Sequence, residues 1–249
     1  MFRGPENALQ PNWTWLPVGY HGRASSIVVS PATFARPSGQ IKGPNDDKPK
    51  YEKSKKMDFE LEIGMIVGRP NNLGEPIAID KANEHIFGFV LLNDVSARDI
   101  QNWEYVPLGP FTSKNLITVI SPWIVTAEAL QPVFHKLPPQ DPAPLDYLKD
   151  PNYGSYDVTL DVVLKTSKSD KEQLISRSNM KYLYWSFPQQ LTHHTVTGCN
   201  MNVGDLLGSG TISGKERKEA GSFLELSWNG KEPLTLEGGE QRTFWEDND

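Results

Sequence analysis

Cysteine is nearly absent from this chain. A single thiol, Cys199, stands among 249 residues, so no disulfide can form within it, and such usage suits a reducing compartment. Long apolar runs are missing too. No stretch approaches the length of a membrane span, and the N-terminus shows no charged-then-apolar leader pattern. Positive charge is short: 25 Lys and Arg face 31 Asp and Glu, a net charge of -6, which supplies no basic face for nucleic acid. Internal repeats, low-complexity blocks, a P-loop, a dinucleotide fingerprint and a Gly-x-Ser-x-Gly elbow are all lacking. These absences predict a cytoplasmic protein with neither membrane nor nucleic acid as its partner.

What the chain does have is apolar alternation. Hydrophobic residues at 37% and aromatics at 10% can build a sizeable core. "VTLDVVLK" puts Val158, Leu160, Val162 and Leu164 on one strand face, and "SFLELSW" does the same with Leu224, Leu226 and Trp228. Asn229-Gly230 predicts a type I′ hairpin turn into "KEPLTLEGG", and "IFGFVLLND" predicts a buried strand ending at Asp94. Helices are few. "SARDIQNWEY" is a short one, and "NMKYLYWSFPQQLTHHTV" a longer one that Pro188 should kink or split. "KGPNDDKPKYEKSKK" and "LPPQDPAPLDYLKDPNYG" read as surface loops. The expected architecture is mainly β with helices at its edge, in one unit without a linker.

The most informative segment is "MDFELEIGMIVGR". Asp58, Glu60 and Glu62 alternate with Phe59, Leu61 and Ile63, so a strand would gather the acids on one face. A solvated face explains this, and so does a metal site. Three converging carboxylates, with Asp94 from the next strand, repel by roughly 4 kcal/mol per close pair at an effective dielectric of 20. A hard divalent cation relieves that repulsion, and all-oxygen ligands favour calcium, magnesium or manganese over zinc.

Beyond Asp94, Arg98, Gln101 and Tyr105 recur at helical spacing. That face could bind a carboxylate or a developing oxyanion, and the same spacing also describes a solvent-facing polar stripe. Lys114 after the Gly-Pro loop is the kind of residue ordinarily found at a surface. "GSGTISG" reads as a bulged strand. His193-His194 suits a surface or helix-end role, and His21 stands without supporting spacing.

Taken together, "LPVGYHGRASS", "DFELEIG", "LLNDVSARDIQNWEYVPLGPF", "QQLTHHTVTGCN" and "GDLLGSGTISG" closely resemble the fumarylacetoacetate hydrolase family, in the same order over nearly the whole chain. The resemblance implies a mixed β-sandwich roll and hydrolysis of the carbon–carbon bond of fumarylacetoacetate, giving fumarate and acetoacetate in tyrosine breakdown. It turns the acids into expected metal ligands: Ca2+ at Glu60, Glu62 and Asp94, with Mg2+ around Asp94, Lys114 and Thr118. It implies substrate contacts at Arg3, Tyr20, Gln101, Tyr105 and Thr211. Arg98, Gln101 and Lys114 match oxyanion-stabilising positions, and Glu225 matches the carboxylate that orients a catalytic histidine. The expected assembly is a homodimer.

The family's histidine, a fourth acidic ligand and a small SH3-like β-domain match nothing in these residues. The expectation is therefore a catalytic domain, 1–249, incomplete at both termini and impaired in turnover. Two other readings stay open: a non-catalytic form that binds cation or pairs with longer subunits, and another oxo-acid hydrolase or decarboxylase of the superfamily.

Overall fold

A computed structural model describes residues 9–249. Arg3, an expected substrate contact, lies outside them. The chain is mainly strands with few helices, as its alternation predicts. A mixed six-stranded sheet forms the centre. Across it run Ile27–Val29, Thr118–Ile120, Ile86–Asp94, Leu61–Val67 and Leu206–Gly208, while Val125–Thr126 also pairs with Ile86–Asp94. Only the Ile27–Val29 and Thr118–Ile120 strands run parallel; the other pairs are antiparallel. Two-stranded ribbons flank the sheet, the longest joining Thr159–Leu164 to Gln173–Asn179.

The acidic segment divides its faces among three cores. Met57 packs with Val95, Ala97 and Ile100; Phe59 with Phe223, Leu226 and Phe244; Ile63, Met65 and Val67 with Phe89, Phe187 and Leu191. The strand breaks at Phe59–Glu60, between Met57–Asp58 and Leu61–Val67, yet the alternation persists through the break. Every second residue is thus committed to a core, which turns Asp58, Glu60 and Glu62 the other way.

Several local expectations are corrected. "SFLELSW" is a helical turn, Phe223–Leu226, rather than a strand. Its buried residues are Phe223 and Leu226, three apart, and the Ser222 hydroxyl accepts from Glu225 N. Trp228, Asn229 and Gly230 all take positive φ, but they close this helical turn instead of a hairpin. The hairpin lies further on, joining Leu234–Thr235 to Gln241–Arg242 across Gly238 and Gly239. Pro188 does not kink a long helix. It lies in the first turn of a shorter one, Phe187–Thr195, opened by a Ser186–Gln189 capping box. The loop around "KPKYEK" contains a strand, Lys50–Lys53, paired with Ser38–Ile41. Among the described residues, no helix is long and apolar enough to cross a membrane.

Candidate active site

Glu60, Glu62 and Asp94 meet at one end of the central sheet. One carboxylate oxygen from each lies within 4.8 Å of the others, and all three residues are buried. Antiparallel register brings them together: Leu61 pairs with Asn93, and Asp94 N donates to Glu60 O at 3.2 Å. The solvated-face reading therefore fails, since the exposure of Asp58, Glu60 and Glu62 is 0%, 8% and 5%.

Two buried cations answer these acids. Arg98 Nη1 lies 2.6 Å from Glu60 Oε1, and its Nε donates to Asp58 Oδ2 at 2.8 Å. Lys114 Nζ lies 2.5 Å from Glu60 Oε2 and 2.9 Å from Asp94 Oδ2. Lys114 is thus buried rather than a surface lysine, and Arg98 is not part of a solvent-facing stripe. Burial pushes the Glu60 carboxyl up, but Lys114 and Arg98 together outweigh it and hold its pKa down to about 2. Glu62 goes the opposite way. Burial first, then the Glu60 and Asp94 charges, raise its carboxyl well above the ordinary glutamate range.

The charge balance tests whether a cation fits. Four buried carboxylates, Asp58, Glu60, Glu62 and Asp94, face two buried cations, Arg98 and Lys114, leaving two negative charges. One divalent ion neutralises that excess, and the all-oxygen donor set suits a hard one. The glycine-rich "GSG" segment shapes the same corner. Gly210 N donates to Glu62 Oε2 at 3.2 Å, and a Cβ at Gly208 would stand 2.8 Å from that oxygen. The segment ends the Leu206–Gly208 strand, and Gly210 takes a positive φ.

Further expected residues assemble around the cluster. The Tyr20 hydroxyl donates to Asp94 Oδ2; the residue is half exposed, but desolvation of the hydroxyl end and then the Asp94 charge raise its pKa far above the tyrosine norm. Gln101 Oε1 accepts from Arg98 Nη1 at 3.1 Å, and partly buried Tyr105 caps the same helix, Arg98–Glu104. Thr118 is the register partner of Asp94. The Lys114 ammonium is itself a cation, so only its carbonyl oxygen can serve as a metal donor. Thr211 follows Gly210, held beside the acidic strand by Ile212 N donating to Leu61 O at 2.8 Å. Glu225 Oε2 accepts from the Ser213 and Ser222 hydroxyls at 2.9 and 2.8 Å. His21 is exposed, whereas its neighbour Tyr20 reaches the acids. His193 and His194 occupy the last turn of the Phe187–Thr195 helix, and His193 Nδ1 lies 2.9 Å from the Tyr147 hydroxyl.

Sequence reasoning missed two supporting residues. Asn93 Oδ1 accepts from Glu60 N at 3.1 Å. Glu104 accepts from Phe111 N, Thr112 N, Ser113 N and both hydroxyls of Thr112 and Ser113, clamping the loop that ends at Lys114. The Thr-Ser pair after Gly-Pro was the available signal for that clamp.

Comparison with known proteins agrees with the sequence resemblance. The model of the fumarylacetoacetate (FAA) hydrolase C-terminal family matches residues 5–241. The chain is 56% identical over 253 residues to fumarylacetoacetase of Dictyostelium discoideum, covering 100% of this chain and 59% of that one. It is 56% identical over 250 residues to fumarylacetoacetase of Homo sapiens, with the same two shares. It therefore spans about three-fifths of the length of these relatives. A solved fumarylacetoacetate hydrolase from psychrophilic Exiguobacterium antarcticum superposes with a TM-score of 0.48 at 21% identity, covering 82% of this chain and 55% of that one.

Proposed function

Because this chain belongs to the fumarylacetoacetate hydrolase family, we propose that it carries the hydrolytic centre that splits fumarylacetoacetate into fumarate and acetoacetate. The observation that supports this most is the buried pairing of Glu60, Glu62 and Asp94 with Arg98 and Lys114, reached by Tyr20. Calcium would be held by Glu60, Glu62 and Asp94, and magnesium by Asp94, Thr118 and the Lys114 carbonyl. Such a cation, when bound, acts as a Lewis acid toward a carbonyl or enolate oxygen.

The chain's own residues do the rest. Water gives up a proton and adds to a ketone carbonyl, and the oxyanion that forms accepts hydrogen bonds from Arg98, Gln101 and Lys114. Its collapse breaks the carbon–carbon bond, the departing enolate taking up a proton as acetoacetate. Arg98 and Lys114 are already held by Glu60 and Asp94, so little reorganisation accompanies the step. Tyr20, Tyr105, Thr211 and Arg3 orient the diketo acid. Glu225 is the carboxylate that orients a histidine base, while its hydrogen bonds in this structure come from Ser213 and Ser222. A cytoplasmic homodimer belongs to the same reading.

The test follows loss of fumarylacetoacetate absorbance with saturating Ca2+ or Mg2+, in this chain and in Arg98→Met and Lys114→Met. Cation-dependent turnover that falls in both variants is expected. A rate indifferent to both substitutions overturns the assignment. Cation binding without any turnover in the folded protein favours the non-catalytic reading instead.

A further inference from the structure

Asp58 is the most deeply buried acid of the cluster, and the chemistry above gives it no part. Its exposure is 0%. It stands in register with Ser96, where the short strand Met57–Asp58 pairs with Ser96–Ala97. Its carboxylate accepts three hydrogen bonds from two distant parts of the chain. Oδ2 accepts from Arg98 Nε at 2.8 Å and from Leu224 N at 3.0 Å, and Oδ1 accepts from Phe223 N at 2.6 Å.

These partners matter because of what lies beyond them. Arg98, once anchored through Nε, directs Nη1 to Glu60 and Gln101. Phe223 and Leu224 open the helical turn that carries Glu225, and their N–H groups have no partner inside so short a helix. Asp58 takes both, while Ser222 takes the N–H of Glu225. The Phe59 and Phe223 rings, 5.0 Å apart edge to face, fasten the same junction from the apolar side. One aspartate thereby joins the strand of metal-binding acids, the guanidinium arm and the Glu225 turn. Aspartate is well suited to this position, because its short side chain leaves the carboxylate few other placements and a charged acceptor strengthens each bond.

We propose that Asp58 is the positioning residue of this centre, holding the Arg98 guanidinium and the Glu225-bearing turn in fixed relation to each other and to Glu60. The role rests on the hydrolase reading above. Asp58 itself touches no reacting atom; it acts through Arg98 and through the turn.

Asp58→Asn tests it. An asparagine oxygen serves only one side. At the Oδ2 place it keeps Arg98 Nε and Leu224 N but turns its amide on Phe223 N; at the Oδ1 place it turns its amide on Arg98 Nε–H and Leu224 N. Either way the charge that holds the guanidinium is lost and one arm of the junction is released. The expected result is a kcat lower by about ten- to hundredfold with KM changed less than about twofold, as for a misplaced oxyanion donor. In an Arg98→Lys background the same substitution should add less than about a twofold further loss, because the two act as one unit. A kcat within about twofold of the parent, or effects that multiply fully in the double variant, overturn the role.

A second measurement needs no turnover and leaves Asp58 unsubstituted. In arginine side-chain NMR of the unsubstituted protein, the Arg98 Nε–H should exchange slowly, its resonance identified by its loss in Arg98→Lys. Exchange at the solvent rate overturns the positioning role. Absence of turnover in the parent counts against the hydrolase reading alone and leaves this measurement standing.

Discussion

The Lys114 ammonium lies 2.5 Å from Glu60 Oε2, with both side chains buried. Arg98 holds the other Glu60 oxygen, so this glutamate is doubly neutralised and ionised. Glu62, two residues on, has the Gly210 N–H and two neighbouring acids for company. The excess negative charge of the centre is therefore concentrated on the Glu62 and Asp94 side, and that is where a divalent ion gains most.

Lys114→Met should destabilise the cation-free protein by roughly 3–5 kcal/mol, because it leaves buried Glu60 and Asp94 short of a counter-charge. Saturating calcium should recover part of the loss. Urea melts with EDTA and with calcium measure both quantities. A loss below about 1 kcal/mol in EDTA would mean that the acids are neutralised by other means.

Glu62 makes the pH dependence differ with and without the cation. Without it, the folded carboxyl titrates above the ordinary 4.5, so the folded state binds the extra proton. Its stabilising contribution is complete below 4.5 and fades as pH rises through the raised folded value. With calcium bound the ionised form is favoured, so the contribution is lost only as pH falls below the ordinary 4.5 and is level above it, where the cation-free protein is still losing stability. Thermal melts across pH in EDTA and in calcium should diverge, and Glu62→Gln should remove the divergence. Parallel curves would place the cation elsewhere.

Much of this centre is legible in the sequence because alternation is a strong signal. Phe59, Ile63, Met65 and Val67 each have one plausible burial, and their commitment fixes the direction of Glu60 and Glu62. Lys114 is illegible for the opposite reason. Nothing beside it in sequence marks it as buried; its partners, Glu60 and Asp94, are 54 and 20 residues away. The Phe223–Leu226 turn imitates a strand because Leu224, Leu226 and Trp228 alternate as in one. Its helical character comes from Ser222 and Asp58 taking the N–H groups of the first turn, and only Ser222 is adjacent in sequence. Pro188 has the look of an interruption, though Ser186 two residues earlier is a cap that makes it a helix start.

The loop before Lys114 should loosen in acid through Glu104. Burial pushes this carboxyl up, but bonds from Ser113, Phe111 and Thr112 outweigh it and hold its pKa below the ordinary glutamate value. A depressed folded pKa gives stability that is present above the unfolded value and lost as pH falls through the folded one. Solvent reaches this carboxylate, so Glu104→Gln should cost only about 1 kcal/mol. Amide hydrogen exchange should nevertheless quicken at Phe111, Thr112 and Ser113. Unchanged exchange there would show that the loop is held by other contacts.

Gly208→Ala separates geometry from charge at the cation site. Gly208 ends its strand without a positive φ, so alanine strains no backbone there. The added Cβ would instead stand 2.8 Å from Glu62 Oε2, the free end of a flexible side chain, and the carboxylate must shift. Charge, ligand count and fold all remain. Stability in EDTA should change by less than about 1 kcal/mol, because a chain end that can move relieves the clash. Cation affinity should fall by about tenfold or more, since a supporting contact that aims a ligand is typically worth that much. Calorimetric titration with calcium, beside a urea melt in EDTA, reads the two effects separately. Undiminished affinity would show that Glu62 reaches the ion from either position, and that the glycine serves only the close approach of the strand to its neighbour.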